Sequence, residues 1–236
     1  MLCKIADLLA EVPAAGGLAP RCEAYLCAHG ATPDIVIREE LYRKERYDPR
    51  ITFESVAYME AAYQFYLQLL DHSGFYLHSS AVMYEGKVYL FSGPCRAGKS
   101  THTRLWQQTF GPEARVINDD KPAIRLMDGK WIAYGTPWCG KDGINENASA
   151  PIAGVCFLKK APHNAIRRLS SLEAAQKILT QTIRKFDRAE NLDKLLTLLN
   201  QFIADVPVYE LENLPEPAAA RLSYKTMTEG AREVGI

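Results

Sequence analysis

An apolar run, Lys87-Val-Tyr-Leu-Phe-Ser92, leads directly into the segment Gly93-Pro-Cys-Arg-Ala-Gly-Lys-Ser100, and a helix-compatible stretch from Thr101 to Phe110 follows. The segment matches G-x-x-x-x-G-K-[ST], the Walker A pattern, with the strand before it and the helix after it that the pattern requires. Glycines at 93 and 98 let the backbone curl so that successive N–H groups face phosphate oxygens, and the helix adds its positive end. A chance match in a turn is the alternative, but the flanking elements favour a phosphate-binding loop.

The positions of this loop have predicted contacts with a bound nucleotide. Lys99 would bring a point charge to the β- and γ-phosphates, which makes it a candidate catalytic residue, and the Ser100 hydroxyl would coordinate Mg²⁺. Thr101 lies beside it and could touch an α-phosphate. Cys95 is either a reactive thiol beside Arg96 or an ordinary loop residue. The predicted nucleotide-binding residues are Gly93, Pro94, Cys95, Arg96, Ala97, Gly98, Lys99, Ser100 and Thr101.

Two adjacent carboxylates follow a later apolar run, in Arg115-Val-Ile-Asn-Asp-Asp-Lys121. Adjacent residues at the end of a strand point in different directions, so one of Asp119 and Asp120 can face a metal while the other faces an acceptor. A plain Asp-Asp turn is the alternative interpretation. The nearby phosphate loop favours a catalytic pair.

A histidine lies upstream of the loop, on the first of two β-like runs. These runs, Phe75-Tyr-Leu-His-Ser-Ser-Ala-Val-Met83 and Lys87 to Ser92, are separated by Tyr84-Glu-Gly86, which is a hairpin signal. A lone strand histidine is usually a core or hydrogen-bonding residue. Antiparallel pairing would nevertheless carry His78 to the phosphate end of the hairpin, and we therefore include it among the candidate catalytic residues.

The order Leu77-His-Ser-Ser-Ala-Val82, short turn, apolar strand, phosphate loop and Asn118-Asp-Asp120 resembles the HPr kinase/phosphorylase family and its relative, ATP-dependent phosphoenolpyruvate carboxykinase. The resemblance covers roughly Phe75 to Leu158, and is weaker from Val206 to Tyr224. It implies an α/β (α+β) fold in which the P-loop lies on a mixed, largely antiparallel sheet, and the use of ATP or GTP with Mg²⁺.

The same resemblance implies roles for the site residues. Asp119 would be the general base that takes the proton from an acceptor hydroxyl, Asp120 and Ser100 would hold Mg²⁺, and His78 would lie near the γ-phosphate or the metal. The sequence leaves open which aspartate is the base and which is the metal ligand.

The chain departs from true HPr kinases downstream of the aspartate pair. It has no Glu-[Leu/Ile]-Arg-Gly stretch, and Gly135-Thr-Pro-Trp-Cys-Gly-Lys-Asp-Gly-Ile-Asn-Glu-Asn147 stands there instead. This resembles the HPr-kinase-related proteins of bacterial peptide-modification clusters, which implies a peptide or protein acceptor rather than HPr. In this segment Lys141 could meet a phosphate or an anionic acceptor, and Glu146 could serve as a third metal ligand. The alternative is a polar loop with Trp138 packed beneath it.

The chain divides unequally into two predicted parts. Residues 1–72 form a small β-rich module that ends in an amphipathic helix from Thr52 to Leu70, and residues 73–236 form the kinase-like core. The core closes with helices. Ser170 and Glu173 make a capping box for a helix that runs to residue 184, a leucine-striped helix follows it, and a last helix runs from 215 to 228.

Composition excludes several classes of protein. Lys and Arg number 28, as do Asp and Glu, so the formal net charge of this 236-residue chain is zero. A dedicated nucleic-acid or anionic-membrane binder normally has a basic excess. The six cysteines form no paired C-x-x-C motif, which argues against a zinc site and favours a reducing compartment. With no secretory pattern and no apolar run near the roughly 20 residues of a membrane span, we expect a cytoplasmic protein.

The leading functional hypothesis is a Mg²⁺-dependent kinase that transfers the γ-phosphate of ATP to a hydroxyl, most simply a serine of a peptide or protein, or a small hydroxyl compound. A nucleotide-sensing regulator with little turnover and a carboxykinase-like enzyme acting on a small keto acid are the alternatives. No nucleic-acid or membrane partner is expected, and a homo-oligomer is compatible with the sequence.

Overall fold

The computed structural model describes residues 1–15, 17–28, 32–183, 185–186 and 188–235. The strands are β1 (Leu2–Ile5), β2 (Leu8–Glu11), β3 (Ile35–Val36), β4 (Gly74–Tyr76), β5 (Ser79–Tyr84), β6 (Lys87–Ser92), β7 (Arg115–Asn118), β8 (Ala123–Met127), β9 (Lys130–Tyr134), β10 (Ser149–Lys160), β11 (Ala165–Arg168) and β12 (Val208–Asn213). The α-helices are α1 (Leu18–Cys22), α2 (Phe53–Leu69), α3 (Lys99–Phe110), α4 (Ser171–Leu179), α5 (Ala189–Asp205) and α6 (Pro217–Glu233). None of the helices in these ranges has the length and apolar character needed to cross a bilayer.

Strands β4 to β12 form one mixed sheet that is largely antiparallel, as expected. Its main path runs β4-β8-β9-β10-β6-β5-β7, and β12 and β11 extend it from β10. Strand β10 is parallel to β6 and to β12, and the remaining pairs are antiparallel. One edge of β10 first pairs with β9 and then with β12, so the sheet branches there.

The strand directions bring four chain segments to one edge of the sheet. The carboxyl end of β6 lies beside that of its parallel neighbour β10, with Ser92 opposite Phe157. Strand β5 is antiparallel to both β6 and β7, so its first residue, Ser79, lies at the same edge as the last residue of β7, Asn118. The segments that start or end there are the β6–α3 loop, the residues before β5, the turn after β7 and the end of β10.

The predicted hairpin is present, but its first run is divided into two strands. Strands β5 and β6 are joined by the two-residue turn Glu85-Gly86, in which both φ angles are positive, 49° and 72°. That is the twist-compatible turn of a tight hairpin. Residues 77–78 interrupt the run, because β4 pairs with β8 while β5 pairs with β6 and β7. His78 therefore lies at a break between strands rather than within one.

The amino-terminal residues form a three-stranded sheet, β1-β2-β3, packed with α1 and α2. The Thr52 hydroxyl caps α2 by accepting a hydrogen bond from the Ser55 amide, 3.3 Å away, as the helix-start pattern predicts. One buried cluster includes residues on both sides of position 72, among them Phe65 of α2 and Trp138, whose rings lie 4.7 Å apart. The amino-terminal part thus shares a core with the main sheet.

The carboxy-terminal helices follow the predicted pattern, but two of them have other bounds: α6 runs from Pro217 to Glu233 rather than from 215 to 228, and the helix after Ser170 is shorter than predicted. Ser170 and Glu173 form both hydrogen bonds of the capping box, as expected. The helix that they begin ends at Leu179, however, and Gln181, two residues later, contacts His78 through its side chain. Residue 184, the predicted end of this helix, lies outside the described residues.

Candidate active site

These four segments, together with the one that follows Cys139, enclose an open cleft of about 590 Å³. It is lined by the β6–α3 loop and the first turn of α3, by the residue before β5 and the two residues after β7, by the segment after Cys139 and by the end of β10. These residues are His78, Cys95, Arg96, Ala97, Gly98, Lys99, Ser100, Thr101, Asp119, Asp120, Gly140, Lys141, Asp142 and Lys160. Of the predicted loop contacts, Gly93 and Pro94 are not in the cleft lining; Gly93 is buried and Pro94 is exposed.

The loop from Gly93 to Gly98 has the backbone shape that its glycines permit. Gly93 and Gly98 have φ angles of 145° and 104°, which side-chain-bearing residues rarely adopt. A Cβ atom at Gly93 would also lie 2.9 Å from the Cβ of Ala97. Gly98 caps α3, so the unpaired N–H groups of the helix start face the cleft.

Lys99 and Ser100 open α3, two residues before the predicted helix start. The Lys99 ammonium donates to the Gly93 carbonyl at 3.1 Å, which folds the side chain back over the loop. Burial lowers the pKa of Lys99, and Asp120 partly offsets that effect. Ser100 and Thr101 are exposed at the cleft surface. A cation and two hydroxyls therefore lie where the helix N–H groups converge.

Asn118, which is completely buried, fixes the turn that carries the two aspartates. Its side-chain oxygen accepts from the backbone amides of Asp120 and Lys121 at 3.0 and 2.7 Å. Its amide group donates to the Thr136 carbonyl at 3.0 Å. This is an Asx-type turn, and it explains why an asparagine precedes the carboxylate pair.

Asp119 points from this turn towards the segment after Cys139. One of its carboxylate oxygens accepts a hydrogen bond from the Gly140 amide. A Cβ atom at Gly140 would lie 2.9 Å from the other oxygen, so only glycine leaves room for the carboxylate. Burial raises the pKa of Asp119, against the opposing effect of the Gly140 hydrogen bond, and the charge of Asp120 adds to the increase.

Asp120 points in a different direction and contacts the side chains of His78 and Lys121. The His78 Nε2 atom lies 3.1 Å from one oxygen, and Lys121 pairs with the other. His78 is oriented in turn by the Gln181 side-chain oxygen, 2.9 Å from Nδ1. Burial alone would raise the pKa of Asp120, but His78 and Lys121 outweigh it and lower the pKa to about 2. His78 and Lys121 therefore hold Asp120 in its charged form.

Comparisons with known proteins add a distant likeness of fold. No protein-family model matches the chain, and no curated protein matches it. Among solved structures, the HPr(Ser) kinase/phosphatase from Coxiella burnetii is similar at a TM-score of 0.37 and 10% identity, over 68% of this chain and 99% of that one. At this level the similarity concerns chain arrangement only.

The residues present suit Mg²⁺ held with a nucleotide rather than a metal held by protein alone. The described part of the chain has no cluster of three or more His, Cys, Asp or Glu side chains that could hold a metal. Mg²⁺ commonly takes one or two carboxylates and completes its octahedron with water and substrate phosphates. Ser100 and Asp120, which both line the cleft, supply a hydroxyl and a charged carboxylate for such a site.

Glu146, the predicted third metal ligand, does not line the cleft with Ser100 and Asp120. Its carboxylate lies 2.6 Å from the Arg115 guanidinium, at the other end of β7 from the aspartates. Its backbone amide donates to the Ile117 carbonyl, which fixes the segment along β7. Lys141 does line the cleft, and Trp138 is fully buried beneath this segment.

Several residues in or beside the cleft could not be predicted from the sequence, because the residues that they contact are distant in the chain. Lys160 reaches the cleft only because β10 is parallel to β6, and no local pattern indicates that pairing. Gln181 orients His78 across 103 positions. Gly140 comes closest to having a sequence signal, since it precedes Lys141, for which the sequence predicts a contact with a phosphate or an anionic acceptor.

Proposed function

We propose that the protein is a Mg²⁺-dependent kinase that transfers the γ-phosphate of ATP to a hydroxyl group. One observation carries the proposal: a single cleft is lined at once by a glycine-rich loop, the start of α3 and two carboxylates in unlike surroundings. Phosphoryl transfer needs phosphate binding, charge neutralisation and a proton acceptor, and these groups supply all three.

The loop and α3 would bind the triphosphate. Backbone N–H groups at a helix start favour anions, and the Lys99 ammonium would leave the Gly93 carbonyl for the β- and γ-phosphates. The alternative use of GTP stays within this proposal, since the loop contacts phosphates and not the base. Three further cleft cations, Arg96, Lys141 and Lys160, add positive charge around the phosphate chain.

Ser100 and Asp120 would hold Mg²⁺. The metal would neutralise charge that develops on the phosphate oxygens during transfer. His78 would keep the Asp120 carboxylate oriented, because it contacts one carboxylate oxygen while Gln181 fixes its ring. The low pKa of Asp120 suits a ligand, which must be deprotonated.

Asp119 would act as the general base. The acceptor hydroxyl gives its proton to the Asp119 carboxylate as its oxygen forms a bond to the γ-phosphorus, and the bond from that phosphorus to the β–γ bridging oxygen breaks to release ADP. A base near neutral pH works best when its pKa is raised, and burial moves Asp119 in that direction. The unlike surroundings of the two aspartates support this assignment of base and metal ligand.

We further propose a serine of a peptide or protein as the acceptor, with a small hydroxyl compound as the alternative. The cleft is open to solvent rather than closed over a small substrate, and Lys141 lies at its exposed side. The sequence resemblance to kinases of peptide-modification clusters supports the same acceptor class. A cytoplasmic enzyme is part of this proposal.

Two substitutions separate nucleotide binding from transfer. Lys99→Ala should abolish transfer and weaken ATP binding, whereas Asp119→Asn should leave ATP binding within about twofold and reduce transfer at least about 100-fold, the usual contribution of a general base. Asp193→Asn, an exposed residue of α5, is the matched control and should change neither quantity. Calorimetric titration with MgATP and mass spectrometry of serine peptides provide the two measurements. Near wild-type transfer by Asp119→Asn would refute the base assignment, and ATP binding without any transfer would favour a nucleotide sensor.

A further inference from the structure

The peptide unit between Cys139 and Gly140 is hydrogen-bonded on both of its sides. Its N–H, from Gly140, donates to the Asp119 carboxylate. Its carbonyl, from Cys139, accepts two hydrogen bonds, one from the Tyr58 hydroxyl at 2.7 Å and one from the Arg21 guanidinium at 3.1 Å. The group that contacts Asp119 is therefore itself held by two side chains from the amino-terminal part of the chain.

Those two side chains fix each other. The Arg21 guanidinium lies over the Tyr58 ring, 4.8 Å from its centroid, and its Nη1 atom is 3.4 Å from the Tyr58 hydroxyl. Arg21 also donates to the Cys139 sulfur at 3.0 Å, and its own carbonyl accepts from the Asn145 side chain at 3.0 Å. Both Arg21 and Tyr58 are half-buried, so neither samples many side-chain conformations.

This arrangement links α1 and α2 to the cleft by a short path. Arg21 belongs to α1 and Tyr58 to α2, and each reaches Asp119 through one peptide unit. Hydrogen bonds accepted by a peptide carbonyl polarise the unit and strengthen the bond that its N–H donates. The charge of Arg21 adds to that polarisation, because hydrogen bonds with an ionised partner are the stronger ones.

We infer that Arg21 and Tyr58 are positioning residues for Asp119, acting through the Cys139–Gly140 peptide. The inference rests on the proposed function, since it gives these residues a role only if Asp119 takes part in transfer. Neither side chain touches substrate. They hold the peptide whose N–H fixes one carboxylate oxygen of Asp119, and so hold the carboxylate that would take the proton of the acceptor hydroxyl. The amino-terminal part of the chain then completes the site rather than merely packing against it.

Small misplacements of a catalytic group lower turnover more than they lower substrate binding. Tyr58→Phe removes one hydrogen bond to the Cys139 carbonyl and keeps the ring beneath Arg21. We expect kcat to fall about tenfold while the KM for ATP changes by less than about twofold. Arg21→Met should have the larger effect because it removes a charged donor, and Arg21→Lys should restore part of kcat.

The matched control is Tyr63→Phe on the same helix. The Tyr63 hydroxyl also donates to a backbone carbonyl, that of Lys185 at 3.5 Å, but its path does not lead to Asp119. A structural readout accompanies the kinetics: the amide proton resonance of Gly140 should shift upfield in Tyr58→Phe and Arg21→Met, and stay in place in Tyr63→Phe. Thermal unfolding of each variant shows that it folds.

Measuring Asp119→Asn in the same assays distinguishes three outcomes. Loss of transfer in Asp119→Asn together with lower kcat and a shifted Gly140 resonance in Tyr58→Phe supports the inference. Loss of transfer in Asp119→Asn with wild-type kcat and an unmoved resonance in both Tyr58→Phe and Arg21→Met overturns it and leaves the proposed function standing. Retention of transfer in Asp119→Asn overturns both.

Discussion

Replacing Asn118 tests how the turn presents the two aspartates. Asn118→Ala removes three hydrogen bonds with donor–acceptor distances of 2.7 to 3.0 Å, two accepted from the amides of Asp120 and Lys121 and one donated to the Thr136 carbonyl. At about 1 kcal/mol net for each bond, the free energy of unfolding should fall by about 3 kcal/mol. That is a large share of the stability of a typical domain but short of all of it, so the variant should fold.

Asn118→Asp provides a second, sharper perturbation of the same turn. Its carboxylate can still accept from both turn amides, but it cannot donate to the Thr136 carbonyl and places a charge against that buried oxygen. We therefore expect at least as large a loss of stability at neutral pH. Because the turn bonds persist, transfer should be kept better in Asn118→Asp than in Asn118→Ala.

The assay is urea unfolding followed by circular dichroism, combined with measurement of phosphoryl transfer. Asn147→Ala is the control, since its exposed side chain makes a single described hydrogen bond, to the Ala24 carbonyl at 3.0 Å. It should cost less than about 1 kcal/mol. A loss in Asn118→Ala no greater than that of Asn147→Ala, with unchanged transfer, would refute the reasoning.

Three further predictions follow from contacts in and near the cleft. Gly140→Ala should lower kcat at least about tenfold with little change in stability, because its Cβ would lie 2.9 Å from an Asp119 oxygen; steady-state kinetics with wild-type values would contradict this. Burial lowers the pKa of His102 from 6.5 to about 3, so its contribution to stability is complete above pH 6.5 and is lost towards pH 3, by about 1.4 kcal/mol per pH unit. Urea unfolding of His102→Gln between pH 7 and 5 should show a shallower pH dependence than the wild type; an equal slope would argue against a neutral buried imidazole. Glu146→Gln should leave the Mg²⁺ concentration for half-maximal transfer unchanged, since its carboxylate pairs with Arg115; a severalfold rise would restore Glu146 as a ligand.

Local patterns predicted much of the fold because each depends on residues close in the chain. The capping box at Ser170 needs only Glu173, and the hairpin turn needs only two residues that tolerate positive φ. The loop geometry at Gly93 and Gly98 follows from glycine itself. These features were therefore readable from sequence.

Features that depend on long-range contacts were not readable. Glu146 is acidic and lies downstream of the aspartate pair, yet its carboxylate pairs with Arg115, 31 positions before it, rather than with the cleft. The helix after Ser170 ends at Leu179 rather than at the predicted residue 184. Gln181, just beyond it, contacts His78 through its side chain. Composition and periodicity carry no information about such pairings, which arise from the order of strands in the sheet.

The fate of the γ-phosphate tests the central claim most directly. ATP labelled at the γ position is incubated with Mg²⁺, serine-containing peptides and small hydroxyl compounds, with the wild-type protein or Asp119→Asn, and labelled products are separated and identified. The cleft predicts label on an acceptor hydroxyl with the wild type and none above background with the variant. Bound ATP that retains its label in the presence of every acceptor, or equal transfer by both proteins, would contradict the assignment of this cleft as a kinase site.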